Sequence, residues 1–323
     1  MWFKRFTKYL LDHPRQALVF TFITTFIPVF GIAGILIASL VTLRKGIVEG
    51  ALMTVAATLP YVISFYVSVN HSETIPLVVW AAVGVAVLSN LLTYVFTVML
   101  VKRATWSSIL QIGALIGVLV VSVIHLAYPD VTNWWGQQLQ SYYAEAQSVI
   151  AKSAAAATSS GVVTAATNAA TSVADNQLET INVTKQYATG LMIAGILFNA
   201  ILQLIVARWW QAIVFAPGML RKELHKIRLS QLAGVLFAIS LVLSYLGNSV
   251  VLDIMPILYT LFGAAGLSLV HYLFGLMHSN TVWFWLSVFY VTLIFALPVS
   301  MVLIAIIALF DIWLDVRKRV KRI

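Results

Sequence analysis

The polar side chains set into apolar sequence are the residues of this chain that could do chemistry. Asn90, Gln111, His125, Asn199, Gln203, Asn248 and His271 lie within or beside long apolar stretches. Glu49, Asp253, His278 and Asp311 stand near the ends of such stretches. Polar groups at membrane depth are costly, and they mark pathways, binding sites or interhelical hydrogen bonds. His271 and His278 share one helix face by their spacing, as a metal site or proton relay requires. No carboxylate stands at ligand spacing beside them, so no metal is expected. Amides suit interhelical hydrogen bonds, or contacts to an uncharged or zwitterionic ligand. A site for a neutral or amphipathic solute is expected toward the outer half of the helices, bounded by Asn70, His71, Asn90, His125 and Asn248.

The densest polar feature runs from Ala207 to Arg228. It contains Arg208-Trp209-Trp210-Gln211, the turn signal Pro217-Gly218, and a segment over 219–228 that mixes charged and apolar residues at roughly helical spacing. Arg208, Trp209, Trp210, Gln211, Arg221, Glu223 and Arg228 are the candidate residues for docking a partner. The alternative is a membrane-surface helix whose cations meet lipid headgroups. Catalytic signatures are absent from the sequence. It has no His-Glu-x-x-His, no Gly-x-Ser-x-Gly, and no phosphate-binding Gly-rich loop ending in Lys-Ser or Lys-Thr. The chain is therefore expected not to be an enzyme and to need no cofactor. Any active transport would draw on a gradient or on a partner ATPase.

These residues must be positioned by membrane helices. Of 323 residues, 61% are hydrophobic and only 10% are charged. Soluble domains carry about 25% charged residues, so lipid must cover this chain. Spanning the hydrocarbon core takes roughly 20 apolar residues. Eight runs qualify: 17–43, 47–69, 76–101, 107–127, 189–207, 229–251, 254–277 and 282–310. They predict an all-α polytopic bundle. Its expected parts are N-terminal membrane helices over 1–128, an external excursion over 129–186, and C-terminal membrane helices with a basic tail over 187–323. The first run follows Lys4 and Arg5 and is too long for a cleaved signal peptide, so it reads as an uncleaved anchor. Cysteine is absent, which excludes disulfides and thiolate chemistry.

Charge sorts the loops. Of the 20 basic residues, all but Lys152 and Lys185 fall before the first run, after it at Arg44 and Lys45, at Lys102 and Arg103, within 208–228, or in the tail. The segments 70–75, 129–186 and 249–254 carry Glu73, Asp130, Glu145, Asp175, Glu179 and Asp253. The positive-inside rule makes the basic set cytoplasmic. It predicts a multi-pass protein of the bacterial inner membrane with both termini in the cytoplasm. The net charge of +9 is thus not a nucleic-acid signature, since its cations flank membrane spans.

The first and last runs raise a parity conflict, because each should have both ends inside. Each is overlong and holds a breaker, Pro28 with Gly31 and Gly34 in the first and Pro298 in the last. One reading folds each run into a hairpin of two short helices. The other keeps a single kinked helix and one violated loop. The stretch 153–172 is almost all small and weakly apolar residues, too poor in large side chains to build a core. Around it, 134–150 and 174–185 predict helix. Trp134, Trp135, Trp283 and Trp285 are candidate interfacial anchors. Small-residue pairs at Gly46/Gly50, Ala82/Ala86 and Gly113/Gly117 predict close helix packing.

Several motifs together resemble the YybS-like family of bacterial integral membrane proteins of unknown function. They are Leu43-Arg44-Lys45-Gly46 with Gly50, Ala207-Arg208-Trp209-Trp210-Gln211, Pro217-Gly218 with Glu223 and Arg228-Leu229, and the tail Asp311-x-Trp313-x-Asp315-x-Arg317. The resemblance covers most of the chain outside the Ala/Ser/Thr-rich segment. That family is distantly similar to the substrate-binding membrane subunits of energy-coupling-factor transporters, which typically have six helices. The resemblance implies a small-molecule transport component with a cytoplasmic ATPase as partner. It carries over no ligand-binding residue. The competing expectation is a scaffold or regulator that docks a cytoplasmic partner through 208–228.

Overall fold

A computed structural model describes residues 2–27, 30–71, 77–157, 179–277 and 281–320, without the side chains of 70–71, 77–78, 145–147, 149–157 and 298. All its regular elements are helices: α1 Trp2–Asp12, α2 Pro14–Phe26, α3 Gly31–Lys45, α4 Ile47–His71, α5 Leu77–Val101, α6 Trp106–Ala127 and α7 Val131–Ala157. There follow α8 Ala188–Phe215, α9 Met219–Leu224, α10 Gln231–Tyr245, α11 Ser249–Leu276, α12 Val282–Phe295, α13 Leu297–Leu314 and α14 Val316–Val320. Residues 179–184 are also helical.

Among the described residues, α4, α5, α6, α8 and α11 are long and apolar enough to cross a membrane. Helices α12 and α13 together make a sixth candidate, bent by 120°. Of the eight expected apolar segments, five thus form long continuous helices, and the other three, the first and last among them, are each divided into shorter helices or cut short by a turn. Run 17–43 divides into α2 and α3 on either side of 27–30. Run 282–310 divides at Ala296, with Pro298 in the first turn of α13, where a proline costs no helix bond. Run 229–251 includes a turn at Gly247, whose φ of +80° suits glycine, and this leaves α10 only 15 residues long. At about 1.5 Å per residue, α10 rises roughly 22 Å. Along α4, Leu52, Val55, Leu59 and Val62 are exposed at helical spacing, an apolar face of the kind that lipid covers.

The chain divides into two compact units. One comprises Met1–Leu115, Ala194–Val235 and Tyr259–Ile323, and the other comprises Ile116–Ile193 and Leu236–Leu258. The larger unit is built around the first run. Leu10, Leu11 and Ala17 bury against Ile35, Ala38 and Val41 of α3 and Met53 and Ala57 of α4. Helices α2 and α3 lie side by side. A Cβ added to Gly34 would stand 2.2 Å from Thr25 Oγ1 and 3.2 Å from the Thr21 carbonyl. Thr24 and Thr25 return their hydroxyls to carbonyls within α2, which hides their polarity inside the apolar pair.

One dipeptide of α8 bonds both to α1, ahead of this run, and to the last residue of the run. Trp210 Nε1 donates to Thr7 Oγ1 at 2.9 Å, and Gln211 Nε2 donates to the Leu43 carbonyl at 3.4 Å. Of the small-residue pairs, Gly50 and Gly113 are close-packing sites, facing Thr42 and Phe96. Gly46 instead forms the turn between α3 and α4 at φ +118°. The α7 helix is longer than the stretch 134–150 predicted for it. Most of the Ala/Ser/Thr-rich stretch lies outside the described residues.

Candidate functional site

In the smaller unit, three helix ends bring polar groups together. His125, in the last turn of α6, places Nε2 2.9 Å from Asp253 Oδ2, with both side chains almost fully buried. Asp253 Oδ1 accepts the Gly190 N–H at 2.7 Å, from the first turn of α8. A Cβ on residue 190 would fall 1.6 Å from the Asp253 carbonyl oxygen, so only glycine permits this approach. Next to it, Trp135 Nε1 donates to Thr189 Oγ1 at 2.9 Å. Asn248 caps α11, its Oδ1 accepting the Val251 N–H at 3.1 Å.

The residues expected to bound a solute site are placed as follows. Asn90 lies in the larger unit, buried, and donates to the Ala57 carbonyl at 3.4 Å. It belongs to a polar seam in which Thr93 Oγ1 donates to Gln203 Oε1 at 2.6 Å and Ser89 lies against the Ile196 carbonyl. The side chains of Asn70 and His71 lie outside the described residues, as does His278, so the His271–His278 pairing does too. His271 bonds Tyr290 Oη at 2.5 Å. Asn90 and His125 are thus buried in internal bonds, as an unpaired amide or imidazole in an apolar interior would be costly, while exposed Asn248 serves as a helix cap.

The larger unit holds a second cluster, built on the 208–228 stretch. Arg208 grips Glu223 in a fork, Nε to Oε2 at 3.1 Å and Nη2 to Oε1 at 2.5 Å. Its Nη1 also donates to Gln211 Oε1. Trp106 Nε1, at the start of α6, donates to the same carboxylate at 3.1 Å. Burial alone would raise the Glu223 pKa. The hydrogen bonds from Arg208 and Trp106, with the charges of Arg208 and Lys226, outweigh it and hold the carboxyl below its usual range. The cluster continues to the tail. Arg228 pairs with Asp315 at 3.0 Å and donates to the Ile312 carbonyl. Arg317 donates to the carbonyls of His225 and Ile227 and lies 3.3 Å from Asp311. Burial, with Arg221, His271 and Arg317 nearby, pushes the His225 pKa down.

The seven candidate docking residues therefore separate. Arg208, Gln211, Glu223 and Arg228 fasten the stretch to its own fold, and Trp210 fastens α1. Trp209 and Arg221 stay exposed. Beside the Arg208–Glu223 pair opens a cleft of about 540 Å³. Trp106 and Arg103 line it, although neither stood out as a site residue in the sequence. A tryptophan beside a basic turn at a span's start was the available signal. Among the described residues, no group of three His, Asp or Glu side chains could hold a metal ion.

The chain matches no protein-family model, no curated protein and no solved structure. The likeness to YybS-like proteins thus rests on the quoted residues alone.

Proposed function

We propose that this chain is a multi-pass membrane scaffold or regulator that presents its basic face to a cytoplasmic partner. The observation that carries this reading is the way the 208–228 stretch is used. Its fork and carbonyl bonds clamp it in one shape, while Trp209 and Arg221 remain exposed on it. Rigid presentation of an aromatic and an arginine suits recognition of a partner.

Sidedness supports the proposal. The bonds just described join basic segments to each other: residues 7, 43, 106, 208–211, 223–228 and 311–317. A separate set joins residues 125, 135, 189, 190 and 253, on or beside the acidic segments. Under this reading the first run doubles back, since one dipeptide holds both its flanks. The last run does the same: Tyr272 and Ser268 of α11 meet Arg317 beyond α13. With α10 also crossing, between the basic 208–228 stretch and Asp253, a hairpin at each end of the chain resolves the parity conflict under this reading and is compatible with two cytoplasmic termini in a bacterial inner membrane.

The test is photo-crosslinking in native membranes from a probe at Trp209 or Arg221. One discrete protein adduct is expected at both positions and none from a probe at Leu52 on the lipid-facing side of α4. Adducts identical at all three positions would sink the reading.

A transport component of the substrate-binding-subunit type, working with an ATPase, is the second reading. The two doubled-back runs favour it, since irregular backbone at membrane depth belongs where protein or a water-filled cavity surrounds it. It ranks second because Asn90, His125 and Asn248 are occupied by internal bonds. Recovery of an ATPase pair from native membranes would raise it to first.

A further inference from the structure

We infer that the cleft beside the Arg208–Glu223 pair is a binding site for one anionic phospholipid, its headgroup phosphate held by Arg103 and Lys226. The cleft combines two chemistries. Leu43, Leu100 and Ile227 give it apolar walls, and Arg103 and Lys226 contribute its cations beside the buried ring of Trp106. Its volume of about 540 Å³ falls in the range of roughly 300–1,000 Å³ typical of ligand sites. The one carboxylate in its lining, Glu223, is taken by Arg208. Among the described residues, no carboxylate comes within ion-pair distance of Arg103 or Lys226. Two exposed cations, neither in an ion pair and one of them just past the end of spanning α5, share the cleft with apolar side chains, which fits a phosphodiester with acyl chains. Basic pockets between membrane helices on the cytoplasmic side bind such lipids.

Arg103 adds an independent indication. Helix α5 ends in a Schellman turn, with the Ala104 N–H bonded to the Met99 carbonyl and the Arg103 N–H to Leu100. Arg103 takes the left-handed position of that turn at φ +66°, where glycine is the unstrained residue. A side chain with a Cβ is strained there. This chain has an arginine instead, and the arginine lines the cleft. A role for this side chain in the cleft accounts for an arginine at a strained position.

The inference rests on the basic face lying at a membrane surface, and not on a protein partner docking there. The test uses the full chain purified in a neutral detergent, with native mass spectrometry and thermal unfolding as readouts. The probes are phosphatidylglycerol, phosphatidylcholine and inorganic phosphate. Wild type is expected to carry one phosphatidylglycerol at a concentration at least tenfold below that needed for phosphatidylcholine, with a matching rise in Tm. The variant Arg103→Gly with Lys226→Gln should unfold at the wild-type Tm or higher without lipid, because glycine relieves the turn, yet lose the tenfold preference. The control Lys4→Gln with Lys8→Gln removes the same charge elsewhere and should keep it. Equal binding of both lipids, or a preference surviving in the cleft variant, overturns the inference. Inorganic phosphate producing the same Tm rise also overturns it, in favour of a soluble-anion site. Failure of the Trp209 and Arg221 crosslinks would leave these outcomes unaffected, so the two readings fail separately.

Discussion

Arg208 is the residue on which the basic cluster turns. It supplies both prongs of the fork on Glu223 and a bond to Gln211, which in turn holds the Leu43 carbonyl. Charge-assisted hydrogen bonds of this kind contribute about 1.5–3 kcal/mol. Arg208→Ala is expected to lower stability by roughly that amount, measured by denaturant unfolding in detergent. Arg208→Lys should recover only part, since a point charge cannot reproduce a planar fork. The pH dependence follows from Glu223. Its carboxyl titrates lower when folded than when unfolded, so its contribution is complete above the unfolded value of about 4.3. Stability should fall as pH drops below that value toward the folded pKa. Glu223→Gln should flatten this acid limb of the unfolding curve, and an unchanged slope would remove Glu223 from the account.

At the scale of elements, helices are held together where one of them lacks a side chain. Gly34 lets α2 meet α3, Gly50 lets α3 meet α4, and Gly190 lets the start of α8 touch the backbone of Asp253. Only the last is also tied to a buried ionisable pair. Gly190→Ala should push Asp253 away, stretching its bonds to Gly190 and His125 together, and cost more than about 2 kcal/mol. Gly195→Ala, on the same helix with open space around it, should be neutral or stabilising by up to about 1 kcal/mol. Thermal unfolding of both variants checks the contrast. Equal effects would show that helix propensity, and not the close approach, sets the result.

For the whole molecule, the deciding issue is which segments share a side of the membrane. The absence of cysteine makes single-cysteine labelling direct. Cysteines at Arg15 and Lys45 should both react only after the membrane is permeabilised, since both flank the doubled-back first run. A cysteine at Val183 should react in intact cells. Arg15 and Lys45 labelling from opposite sides would restore a single crossing and remove both hairpins. Val183 labelling with the basic set would undo the assignment of sides.

What the sequence by itself determined is what single residues contribute additively: an all-helical membrane protein, the apolar runs and the sorting of charge between two sets of loops. Hydropathy and net charge sum along the chain, so they are readable without a fold. The breaker Pro298 marked where the last run is interrupted, and the density of polar residues over 208–228 was visible as well. Tertiary structure decided the pairings. His125 and Asp253 are 128 residues apart, and Trp210 and Thr7 are 203 apart. Such bonds depend on distance in space, which hydropathy does not carry. The same limit explains why, among the described residues, eight apolar runs yield five helices long enough to span and a bent pair. A run's apolarity says that it can be buried in lipid or protein, and only its neighbours decide whether it crosses or folds back.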